Sequence, residues 1–168
     1  NFLTVSNFFD IMRSSSIFGI MALGMLPVLI SGGIDLSVSS TITLCAVVMG
    51  KFLQANPGSN IVVTIVLCMA VGALAGLVNG LLITKFHIPP IVATLGTQTI
   101  VMAAVLFYTN GIWISGMPEW FQKFGDIQFG AIPRAGKVVG MPIQILFLIL
   151  VGAATWLILK YTLMGRGI

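Results

Sequence analysis

Long apolar runs separated by short polar breaks dominate this chain. Five runs approach the roughly 20 residues that an α-helix needs to cross a bilayer. They cover residues 15–30, 38–53, 61–84, 91–108 and 143–159. The third carries no formal charge and is long enough to cross with some tilt. The runs are too long for barrel strands and show no alternation of period two, which excludes a transmembrane β-barrel. The prediction is an all-α, polytopic transmembrane helix bundle.

The breaks have distinct characters. Asn56-Pro57-Gly58-Ser59-Asn60 is a turn signal. In Lys85-Phe86-His87-Ile88-Pro89-Pro90 the prolines suit the start of the following helix. A lone His in such a connector reads as a solvated end residue. The link over residues 110–140 is the longest, and residues 118–124 within it predict a short interfacial helix with aromatic anchors. Residues 1–14, with Phe2, Phe8 and Phe9 beside Asp10 and Arg13, read the same way. Pro27 predicts a kink in the first run. Residues 31–37 differ from the other breaks, because two glycines and one acid interrupt a helix without making a polar loop. Such backbone is tolerated at membrane depth only where protein or a wet cavity solvates it.

Composition strengthens this picture. Of 168 residues, 58% are hydrophobic and 7% charged, against roughly 45–50% and 25% in soluble domains. The net charge of +4 comes from scattered single Lys and Arg residues, so no basic stripe supports nucleic-acid binding. Cys45 and Cys68 lie inside apolar runs and read as inert packing residues. No cofactor or metal site is expected. Enzyme motifs are absent as well. The stretch from Gly130 to Lys137 misses the phosphate-loop pattern, since five residues rather than four separate its glycines and Val138 stands where Ser or Thr is required.

Asp35 is the only acid between Asp10 and Glu119. It reads either as a translocation-pathway residue or, with Ser37, as a cap for the helix that starts near Val38. Gly72, Gly76 and Gly80 form two overlapping G-x-x-x-G steps, a helix-packing signal. Asn79 suits an interhelical hydrogen bond or a substrate contact. Thr94 and Thr97 lie on a small, hydroxyl-bearing face that can pack closely or line a polar path. Gln98 is the best single candidate for a hydroxyl-rich ligand.

The stretch Ser31-Gly32-Gly33-Ile34-Asp35-Leu36-Ser37-Val38-Ser39-Ser40 resembles a motif of permease subunits from bacterial ABC importers for ribose, simple sugars and autoinducer-2, with Ser39 in place of the usual Gly. Asn79 to Pro90 and the following Ile91-Val92-Ala93-Thr94-Leu95-Gly96-Thr97 are similar to two further motifs of that group. Gly165-Arg166 matches the start of its ATPase-coupling segment.

The resemblance implies a translocation pathway in the inner membrane, driven by partners. These are a second permease subunit (the same or different), cytoplasmic ATP-binding cassette subunits and a periplasmic sugar-binding protein. It also implies a partial permease domain over residues 1–168, without the first span and the C-terminal half of a roughly ten-span protein. Both ends are accordingly expected to be cut. A simple count of basic residues would place the 110–140 link in the cytoplasm, whereas the resemblance places it in the periplasm and Asp35 on the cytoplasmic side. Two other readings stay open: a permease for branched-chain amino acids or nucleosides, and a passive channel or structural membrane subunit.

Overall fold

The structure is a computed structural model that describes residues 4–134 and 137–161. Gly165 and Arg166 lie outside the described residues. The elements run α1 (Val5–Ile30), α2 (Val38–Ala55), α3 (Ile61–Thr84), α4 (Pro90–Thr109), α5 (Glu119–Gly125), β1 (Gln128–Arg134), β2 (Lys137–Pro142) and α6 (Ile143–Tyr161). Five of these helices, α1 (from Asn7), α2, α3, α4 and α6, are long and apolar enough to cross a membrane. Few side chains are buried, and aliphatic and aromatic residues are exposed along every long helix. Such a surface needs lipid or further protein as its solvent.

Local chemistry accounts for the helix ends. The Asn60 side chain caps α3 by accepting from the Val62 N–H at 3.1 Å, and α3 then covers residues 61–84 as the apolar run predicts. Pro90 opens α4, where the missing N–H costs nothing. Asn110 closes α4 in the left-handed region (φ 52°). In the connector before α4, His87 is exposed and also left-handed (φ 56°), a conformation for which His is enriched among non-glycine residues.

Two expectations need correction. First, α1 starts at Val5, capped by the Thr4 side chain, so residues 5–14 continue the first span instead of forming a separate interfacial segment. The charges at Asp10 and Arg13 did not end the helix, because Arg13 finds partners far along the chain. It donates to the Gly125 carbonyl and pairs with Asp126 at 2.8 Å. Second, the long link holds more than the expected short helix. After α5 comes an antiparallel β1–β2 hairpin, with Gln128 opposite Pro142 and a register shift between Phe129 and Ile132.

The chain forms two compact units. One contains residues 1–32 and 123–168, in which α1 packs on α6 and on β2. The other is Gly33–Gln122, in which α2 packs on both α3 and α4.

Candidate functional site

The polar centre of the Gly33–Gln122 unit lies at the junction before α2. Gly32 takes a left-handed turn (φ 77°), and the chain enters α2 through Ile34, Asp35, Leu36 and Ser37. One oxygen of the Asp35 carboxylate accepts from the Ser37 N–H at 2.8 Å and from the Ser37 hydroxyl at 2.6 Å. Asp35 therefore supports the helix start through an i to i+2 bond. Ser37 does not share that role, since its side chain makes no capping bond.

Ser37 instead links Asp35 to α3. Its oxygen accepts from Asn79 Nδ2 at 2.7 Å. An ionised carboxylate can only accept and a hydroxyl has one proton. The Ser37 O–H therefore points to Asp35, and Asn79 must present its amide N–H to Ser37. This direction leaves Asn79 Oδ1 buried with no partner among the described residues. Ser37 and Asn79 are 3% and 7% exposed, so the bond between them works in a low-dielectric setting where it is stronger than in water.

The neighbouring hydroxyls fix the same junction. Ser40 Oγ, which the sequence reading did not single out, is fully buried and donates to the Ser37 carbonyl at 2.8 Å. The run of serines at 37, 39 and 40 was the available signal. Thr94, 2% exposed, donates to the Pro90 carbonyl at 2.9 Å and lies 3.4 Å from the Ile34 carbonyl. Thr97 bonds within α4, to the Thr94 carbonyl at 3.1 Å. Gln98 Nε2 reaches Ser39 Oγ at a long 3.4 Å on an exposed face. Asp35, Ser37, Asn79 and Thr94 thus converge on the junction, while Gln98 stands outside that group. Ser37, Asn79 and Thr97 also edge a cavity of about 430 Å³ between α2, α3 and α4, whose walls are aliphatic, among them Leu44, Val78 and Ile100.

The glycine stripe of α3 behaves differently from its sequence signal. A Cβ at Gly72 would lie 4.0 Å from Cys45 Sγ, whereas at Gly76 and Gly80 nothing lies within 4 Å. The stripe is therefore not a helix seam along its length among the described residues. The close approaches occur elsewhere. A Cβ at Gly19 in α1 would stand 2.8 Å from Leu148 Cδ1, and one at Gly50 in α2 would stand 2.9 Å from Ile114 Cγ2. Cys45 and Cys68 are free, and the Cys45 thiol donates to the Cys68 carbonyl at 3.6 Å.

Residues 7–168 match the family described as branched-chain amino acid transport system / permease component. The chain is 40% identical over 156 residues to the autoinducer 2 import system permease protein LsrC of Enterobacter sp. (strain 638), covering 93% of this chain and 42% of that protein. It is 32% identical to the ribose import permease protein RbsC of Escherichia coli (strain K12), covering 99% of this chain and 50% of the relative. LsrC of Yersinia pseudotuberculosis serotype O:3 (strain YPIII) is 36% identical, with coverages of 99% and 44%. The chain thus spans about half the length of these relatives or less. No solved structure matches.

Proposed function

The chain belongs to the branched-chain amino acid transport system / permease component family, and from that premise we propose that it forms part of the translocation pathway of an ATP-driven importer for a small sugar, ribose-like or autoinducer-2-like. In this reading it sits in the bacterial inner membrane. It pairs with a second permease subunit, receives substrate from a periplasmic binding protein and is driven by cytoplasmic ATP-binding cassette subunits. This chain hydrolyses nothing itself. Asp35 and the start of α2 face the cytoplasm, and the 110–140 link faces the periplasm.

One observation carries the proposal. The Asp35–Ser37–Asn79 relay joins the two sequence segments most specific to the sugar-permease group, G-G-I-D-L-S and N-G-L-L-I, by side-chain bonds of 2.6 and 2.7 Å. A substrate-driven rearrangement that moved α2 against α3 would have to break or carry this relay. The relay is therefore a structural lock at one end of the pathway.

The test is uptake of a labelled panel of sugars and branched-chain amino acids by vesicles holding the full-length permease with its ATPase and binding-protein partners. ATP-dependent uptake of one sugar, lost about tenfold or more in Asp35→Ala and Ser37→Ala at normal protein levels, is the expected outcome. Normal uptake by those variants would remove the lock from the mechanism. Uptake of leucine but of no sugar would favour the second reading, which the family's description supports. Uptake without ATP would make the protein a channel.

A further inference from the structure

A second cavity in the Gly33–Gln122 unit, of about 610 Å³, lies between α2, α4 and the segment that follows α4. Thr43, Val47 and Gly50 contribute from one face of α2, and Met102 and Thr109 from one face of α4. Trp113 lies on the segment that roofs it. That roof is held at several points. Left-handed turns at Asn110, Gly111 and Gly116 fold it back. Gln54 Nε2 donates to the Ser115 carbonyl at 2.6 Å, and the Trp120 indole donates to the Pro57 carbonyl at 2.8 Å. Gly50 makes the close seat possible, since a Cβ there would meet both Ile114 and Met117 within 3.4 Å.

The lining restricts what can bind. Among the described residues no charged side chain lines the cavity, so an ammonium or carboxylate entering it would lose hydration without gaining a counter-charge from them. The hydroxyl protons of Thr43 and Thr109 are already donated to the Ser39 and Val105 carbonyls at 2.8 and 2.9 Å. Their oxygens remain as acceptors, which suits a ligand that donates from hydroxyl groups. Trp113 is 93% exposed at the rim, a broad apolar face with a polar N–H edge. Methionine side chains such as Met102 adapt to a ligand's outline. The volume falls in the roughly 300–1,000 Å³ range of small-molecule sites.

We propose that this cavity is a binding site for a small neutral polyol ring, with Trp113 stacking on the ring's C–H face and the Thr43 and Thr109 oxygens accepting its hydroxyl protons. The inference rests on the importer reading above and sharpens it by favouring a neutral sugar over a zwitterionic amino acid.

The experiment uses the full-length permease with its partners in vesicles, and takes initial uptake rates against sugar concentration together with Trp fluorescence. Trp113→Ala is expected to raise KM about fivefold or more with little change in maximal rate, and Trp113→Phe to restore most of that loss. Gly50→Leu, whose side chain would push Ile114 and Met117 away and unseat the roof of the cavity, is expected to abolish uptake while the complex still assembles. The part of the emission that Trp113→Phe removes should respond to the sugar and not to lipids with brominated acyl chains. An unchanged KM in Trp113→Ala overturns the proposal. So does quenching of Trp113 by brominated lipid with no response to sugar, which would make it an interfacial anchor. If the wild type transports no sugar the importer reading fails, and the fluorescence titration still decides whether the cavity binds a polyol or an amino acid.

Discussion

The two units of this chain hold their helices together in different ways. In the Gly33–Gln122 unit, polar side chains lie between helices, and the bond from Asn79 to Ser37 joins α3 to the start of α2 from 3–7% exposure. In the other unit the long helices meet through glycine and leucine, Gly19 against Leu148 and Gly152 against Leu23. Its polar bonds gather instead at the foot of the hairpin. There the Gly125 carbonyl accepts from both Arg13 and Gln144, and the Arg13–Asp126 pair is 36% and 74% exposed. Helices in lipid gain little from the hydrophobic effect against each other, so close packing and internal hydrogen bonds must hold them. One unit relies on the second means and the other on the first.

Substitutions can break this contrast. The largest effect is expected from Ser37→Ala, which orphans the Asn79 amide and removes a bond to a charged group, worth about 1.5–3 kcal/mol. Asn79→Leu should cost less, because it also removes the unpartnered Oδ1. Unfolding midpoints in bicelles would rank the two, and the reverse order would mean that Oδ1 is satisfied in the assembled protein. In the other unit, Gly19→Leu should cost about 1–3 kcal/mol by overpacking against Leu148, seen as a lower midpoint with the polar bonds intact.

Gly76→Ala should stabilise by about 0.5–1 kcal/mol through helix propensity alone, since no atom of the described residues lies within 4 Å of its Cβ position. A loss of stability in the full-length protein would show that another helix occupies that face. The smallest effect is expected from Arg13→Ala, at most about 1 kcal/mol for a pair this exposed. The difference from wild type should shrink as salt is raised.

Much of the helical frame was legible in the sequence, and the reasons are local. Asn60, the uncharged run after it and the connector at residues 85–90 were enough to place α3. The true start of α1 was not legible, because an Arg inside a membrane helix looks like an end until its partner at Asp126 is known. The hairpin was missed because strand pairing between residues 128 and 142 depends on a register that no alternation of side chains announces. At the site, Asp35 and Asn79 could each be singled out from their surroundings. The direction of the relay could not, since it appears only once α3 is laid beside α2. Nothing in the sequence around Gly50 signals its role, because that role depends on Ile114, which only the fold brings against it.

The bond between Ser37 and Asn79 also works as a ruler. Asn79 stands about a turn and a half before the end of α3 at Thr84, which is roughly 7–8 Å along the helix axis. The start of α2 at Ser37 is therefore set back from the end of its neighbour by about that depth.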